Sequence, residues 1–119
     1  MSGIKMVLDT NILLYLLSDD ETLESFLDDK DLYISFINEM EILSCHGITE
    51  KEKTKIISLL SICTVIELNP QIKDIRRKHR IKLPDSMVAA TAWYLKSPLI
   101  SADKAMGNVE DTDFILYTP

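Results

Sequence analysis

Apolar and polar positions fall in short blocks along the chain. Lys5-Met6-Val7-Leu8 is a strand-like run that ends in Asp9-Thr10-Asn11, and Ile12 to Leu17 is almost wholly apolar. The two runs are too long for one strand, so the pattern predicts strand, polar turn and helix, with Thr10 or Asn11 capping the helix. Ser18-Asp19-Asp20 then caps a second helix from Glu21 to Leu27, with Leu23, Phe26 and Leu27 on one face. Leu32 to Ser35 reads as a second strand. Phe36 to Leu43 carries apolar residues at helical spacing, in a helix ending near Gly47. Thr49 opens another helix, with Glu52 as its capping-box partner and Ile56, Leu59 and Leu60 as its apolar stripe. Cys63 to Leu68 reads as a third strand stopped by Asn69-Pro70, and a basic helix follows from Gln71 to about Arg80. Pro84 starts a long helix to about Lys96, which Ser97-Pro98 breaks. Leu99-Ile100-Ser101 and Phe114 to Tyr117 complete the strands. Strands alternating with helices predict a three-layer α/β/α domain with a short parallel sheet of four or five strands.

Length and composition narrow the class. The 119 residues fit one domain over 1–119, long enough to bury a real core. Three Gly and four Pro are too few for a disordered chain. No apolar run approaches the ~20 residues that span a bilayer. The N-terminus has no long apolar core of a secretion signal, so a cytoplasmic protein without membrane contact is expected. Cys45 and Cys63 are then reduced thiols, and with His46 they match no zinc-ligand spacing. Thirteen basic against nineteen acidic side chains give a net charge of −6. That balance argues against a nucleic-acid binder held by a broad basic surface. It leaves open an enzyme whose acids sit together and hold cations.

The positions of the acids decide between these. Ligands of parallel sheets bind beyond the carboxyl ends of the strands. Asp9 follows the first strand there, and Asp103 comes two residues after Ser101 at the end of the fourth. Glu41 lies about one and a half helical turns past the second strand. Asp85 stands just after Pro84, where a helix N-terminus favours a carboxylate. Four acids from distant stretches can therefore converge on one rim. Converging carboxylates repel, and a hard divalent cation such as Mg²⁺ or Mn²⁺, which takes oxygen ligands, resolves the conflict. Such a site can activate water and neutralise charge on a phosphodiester.

The order and spacing of these residues resemble the PIN-domain nucleases, most closely the VapC-like toxins of type II toxin–antitoxin pairs. Val7-Leu8-Asp9-Thr10-Asn11-Ile12-Leu13-Leu14 is similar to the family's opening strand–Asp–x–Asn motif, and Ser35 to Leu43 to its second. Leu83 to Ala92, with small residues after Asp85, resembles the third. Pro98 to Lys104, a strand and then Ser–x–Asp, resembles the fourth. Together the motifs cover nearly the whole chain in the family's order. The resemblance implies a metal-dependent endoribonuclease in which Asp9, Glu41, Asp85 and Asp103 hold Mg²⁺ or Mn²⁺, with Asn11 and Ser101 orienting those acids. It also implies an antitoxin partner and a homodimer, for which Leu14, Leu17, Leu23 and Phe26 are candidate apolar surface. Glu39 competes with Glu41, since residues two apart on a helix point about 200° apart. The family spacing from Ser35 selects Glu41.

Taken singly, the motifs have plainer readings. Asp9 and Asp85 are ordinary residues for a helix start, Glu39 and Glu41 for a helix surface, and Asp103 for a turn. Their joint order favours the metal site. The basic stretch around His79 is ordinarily a solvated helix face. In an acidic chain it is also the place for phosphate to dock, with Lys73, Arg76, Arg77 and Arg80 as candidate RNA contacts. Trp93 and Tyr94 are expected to pack, and Met87, Ala89, Ala90 and Ala92 to allow close helix–sheet approach. Two other classes share parts of this pattern: a catalytically silent binding protein of the same fold, and a receiver-like signalling domain. The second needs an acidic pair after the first strand, where this chain has only Asp9. A phosphatase with paired aspartates is excluded by Asn11. With the four proposed ligands set aside, fifteen acids face thirteen bases.

Overall fold

The computed structural model describes residues 4–44, 49–78, 83–108 and 113–119. The first strand, β1 (Lys5–Leu8), leads into helix α1 (Thr10–Leu17), followed by α2 (Glu21–Leu27) and β2 (Asp31–Ser35). Next come α3 (Phe36–Leu43), α4 (Glu50–Ser61) and β3 (Thr64–Ile66). Helices α5 (Pro70–Lys78) and α6 (Leu83–Leu95), β4 (Leu99–Ser101), a 3₁₀ turn over Lys104–Asn108 and β5 (Phe114–Leu116) complete the order. The five strands pair in parallel in the order β3-β2-β1-β4-β5. The order reverses between β1 and β4, the place where a parallel sheet opens a crevice at its carboxyl edge.

Alternation along β1 feeds two core layers. Met6 and Leu8 pack with Ile34 and Ile100 against Ile12, Leu13, Leu23, Leu27, Ile42 and Ile56, so α1, α2 and α4 cover that face. Val7 and Leu99 point the other way, onto Val88, Ala89 and Ala92 of α6 and onto Met106. Ile72 of α5 joins Met87 and Ala90 on the second face. The observed architecture is thus the expected α/β/α sandwich, with five strands. Ala89, Ala90 and Ala92 are all essentially buried, and their short side chains let α6 lie close on the sheet.

The differences from the expected elements have physical causes. The cap of α1 is Asp9, not Thr10 or Asn11. Asp9 keeps extended backbone (ψ 162°) and its carboxylate accepts from the Thr10 N–H at 2.8 Å. Strand β3 covers only Thr64–Ile66, because its neighbour β2 ends at Ser35, paired with Ile66, and turns into α3. Pro70 opens α5 one residue early, and Asn69 caps it by accepting from Ile72 N at 3.1 Å. Leu23 is fully buried, so it offers no surface to a partner, whereas Phe26 is 41% exposed with Lys30 Nζ 4.3 Å over its ring. Trp93 and Tyr94 project outward at 43% and 40% exposure, because the sheet-facing positions of α6 are taken by its alanines. The end of the third helix near Gly47, the Cys45-His46 pair and His79 lie outside the described residues, whereas α3 ends at Leu43.

Candidate functional site at the carboxyl edge of the sheet

Asp9 is a carboxylate with 6% of its surface exposed, set between the ends of β1 and β4. The chain turns there because β1 stops at Leu8 and the Asp9 carbonyl accepts the first helical bonds, from Ile12 N at 3.0 Å and Leu13 N at 3.3 Å. One carboxylate oxygen caps Thr10 N, and the other accepts from Ser101 Oγ at 2.7 Å. Asn11 Nδ2 lies 3.5 Å from the same oxygen and donates to Ser101 Oγ at 3.1 Å. Asn11 Oδ1 accepts from Ala102 N at 3.1 Å, so this one amide ties the first turn of α1 to the loop after β4.

Ser101 is the hub of the arrangement. It is completely buried, and its hydroxyl also accepts from Asp103 N at 3.0 Å. Asp103 itself is exposed and turns one oxygen to Ala105 N at 2.9 Å, which starts the 3₁₀ turn. Burial pushes the Asp9 carboxyl above its ordinary value; the Ser101 and Thr10 bonds pull it back, and the Asp103 charge adds to the rise. Two of the four expected acids are therefore close enough to feel each other.

Glu41 approaches from the second strand's side. The capping box at Ser35 and Asn38 winds α3 directly out of β2. Glu41 Oε1, one turn further on, accepts from Thr10 Oγ1 at 2.9 Å. Of the two glutamates in α3, Glu41 is the one that the structure links to the residue beside Asp9. Asp85 is half-buried in the first turn of α6. Among the described residues, no three His, Cys, Asp or Glu side chains are gathered into a ready-made cation cage. The donors are all oxygen, and the buried, charge-penalised Asp9 beside Asp103 is the kind of anion that a hard divalent cation relieves. The residues present thus fit such an ion.

Lys73 is exposed on α5, and the backbone of Arg76 and Arg77 continues that helix. Arg80 lies outside the described residues. Sequence reasoning missed Thr10 and Asn38 as parts of the site. The signal was present in the capping spacing of Ser35 and Asn38, but their link to Thr10 needs the three-dimensional juxtaposition of α1 and α3.

The PIN domain family model matches residues 6–112. The chain belongs to the PIN domain family. Its fold is also that of several solved chains. A chain of VapBC2 from Rickettsia felis, in a structure bound to a DNA fragment from their promoter, superposes with a TM-score of 0.82. It has 15% identity, with 97% of this chain and 100% of that chain covered. A chain of VapBC-1 from nontypeable Haemophilus influenzae gives 0.75 at 24% identity, covering 95% and 98%. A chain of a toxin-antitoxin complex from Klebsiella pneumoniae gives 0.75 at 23% identity, covering 92% and 95%. No curated protein matches the chain by sequence. The family match spans Asp9, Glu41, Asp85 and Asp103 in one continuous PIN domain.

Proposed function

We propose that this PIN domain, one unit over 1–119, is a metal-dependent endoribonuclease and the toxin of a type II toxin–antitoxin pair. The observation that carries the reading is Asp9: a nearly fully buried carboxylate at the sheet's switch point, with the charge of Asp103 beside it. Asp9, Glu41, Asp85 and Asp103 would hold Mg²⁺ or Mn²⁺. Bound there, such an ion supplies activation of water and neutralisation of charge developing on the phosphodiester.

The chain's own residues prepare that chemistry. Ser101 and Asn11 fix the Asp9 carboxylate, so it is presented in one orientation rather than several. Asn11 also holds the Asp103 loop in register through Ala102 N. Lys73, Arg76, Arg77 and Arg80, cations in the stretch of sequence that precedes Asp85, would supply the positive charge for the RNA phosphates. The fold-level likeness to chains of VapBC and other toxin–antitoxin complexes supports an antitoxin partner, and a homodimer is part of the same proposal. Leu14 (46% exposed) and Phe26 remain as apolar surface for either. No helix among the described residues is long and apolar enough to cross a membrane. The cytoplasm, where RNA is met, is the proposed location.

The decisive test replaces Asp9 and Asp85 separately by Asn and follows cleavage of RNA with Mn²⁺. Each variant should lose at least about two orders of magnitude, the scale of removing an electrostatic stabiliser of a transition state. Wild-type rates in both would overturn the reading.

A further inference from the structure

Thr10 receives one acid and delivers another. Its backbone N–H donates to Asp9 at 2.8 Å, while its hydroxyl donates to Glu41 at 2.9 Å. The hydroxyl's direction is set from behind by Asn38, which is fully buried. Asn38 Oδ1 accepts from Ser35 N at 2.9 Å, and its Nδ2 donates to Thr10 Oγ1 at 2.9 Å. Turning the amide over would aim its NH₂ at the Ser35 N–H, so the Ser35 bond fixes which end faces Thr10. A hydroxyl has one proton. With its oxygen already accepting from Asn38, that proton goes to Glu41. The result is a one-way chain: Ser35 N–H to Asn38, Asn38 to Thr10, Thr10 to Glu41.

We propose that Thr10 is a positioning residue for Glu41, with Asn38 setting its polarity. Glu41 lies exposed on the rim of α3. The Thr10 hydroxyl ties its carboxylate to the residue that follows Asp9, so α1 and α3 are linked where they carry their acids. This role rests on the proposed metal-dependent activity. It differs from those of Asn11 and Ser101, which act on Asp9 and Asp103.

The test reads Mn²⁺ binding to the metal-free full chain by isothermal titration calorimetry. The variants are Thr10→Val, Thr10→Ser, Glu41→Gln and the double variant Thr10→Val with Glu41→Gln. Thr10→Val keeps the shape and removes the hydroxyl. It should weaken Mn²⁺ binding about 10-fold, the lower end for losing a partner that orients a ligand. Thr10→Ser restores the hydroxyl and should stay within about 3-fold of wild type. In the Glu41→Gln background, Thr10→Val should add no more than about 2-fold, because its effect runs through Glu41. A general loosening of α1 would instead weaken both backgrounds equally, and that result overturns the proposal. So does wild-type Mn²⁺ affinity in Thr10→Val. If that variant does not fold, Thr10→Ala carries the same comparison. Intact Mn²⁺ binding by wild type and Thr10→Val alike removes only the role of Thr10. A wild-type chain that binds no Mn²⁺, with RNA cleavage unchanged by Asp9→Asn, removes the proposed activity as well.

Discussion

Replacing Ser101 by Ala isolates the hub of the site without touching a charge. The wild-type hydroxyl makes three hydrogen bonds: it donates to Asp9 at 2.7 Å and accepts from Asn11 and Asp103 N. The bond to Asp9 is charge-assisted in a buried place, worth about 1.5–3 kcal/mol. The other two cost less when lost. Asn11 keeps Asp9 Oδ2 within 3.5 Å, and Asp103 stands at the exposed surface where water replaces the serine. The total comes to about 2–4 kcal/mol. For a chain of this length, about 4 °C of melting temperature accompanies each kcal/mol, so Tm should fall by about 8–16 °C.

The pH dependence separates this cause from simple loss of packing. Asp9 has a raised carboxyl pKa, so its ionisation opposes folding: its contribution is most favourable below the ordinary carboxylate value and is lost as pH rises through the folded value. Ser101 pulls that value down. In Ser101→Ala it rises further, and the variant loses more stability than wild type over the same climb in pH. Urea denaturation of metal-free protein from pH 4 to pH 8 should therefore show a gap that widens with pH. A gap below about 0.5 kcal/mol at neutral pH, or one that stays flat, would refute the reasoning.

Reversing the charges of Arg76 and Arg77 to Glu should weaken RNA binding and reduce the slope of log affinity against log salt by at least about 1.4, at ~0.7 per cation on a single strand; an unchanged slope takes these residues off the RNA path. Tyr117 donates to Asp20, which holds the phenol protonated up to about 12 and keeps the Asp20 carboxyl below its ordinary range. The phenol's contribution is full below pH ~10 and fades as pH climbs toward 12, while that of Asp20 fades in acid. The stability difference between wild type and Tyr117→Phe, read from urea midpoints, should thus be a plateau that closes at both ends; a constant difference contradicts it. Ala92→Leu should cost about 1–3 kcal/mol by forcing α6 off the sheet, and an unshifted urea midpoint would show that the helix has room to move.

The parts of the fold set by local chemistry were legible in the residue pattern. The capping box at Thr49 starts its helix as its spacing predicts, and the strand before Asp9 ends where polarity begins. What escaped depends on partners distant in the chain. Glu67 and Leu68 look like strand, yet β2 has already turned into α3 and leaves them no neighbour. Trp93 and Tyr94 look like core, yet the alanines of α6 claim the sheet. At the candidate site, the acids and the Asn11–Ser101 pair were readable as motif positions. The Thr10 link was not, because α1 and α3, some thirty residues apart in the chain, touch only once the sheet has brought them side by side.

The charge balance is explained differently by the structure than by counting ligands. Between residues 19 and 31 the chain carries seven carboxylates and one lysine, a local −6 that equals the whole net charge. The remaining acids and bases number twelve each. This acidic segment is α2 with its flanks, whose Leu23 and Leu27 pack on the α1 face of the sheet. The basic helix α5 packs its Ile72 on the opposite face, beside α6. The molecule is therefore electrically polar across the sheet, and the edge that carries Asp9 and Asp103 lies between the two charged sides. A polyanion approaching it is repelled by the α2 side and drawn to α5, within about a Debye length of ~8 Å at physiological salt. The net −6 therefore says little about affinity for nucleic acid. Its distribution bears on the side from which nucleic acid would arrive, and that side adjoins the helix that carries Asp85.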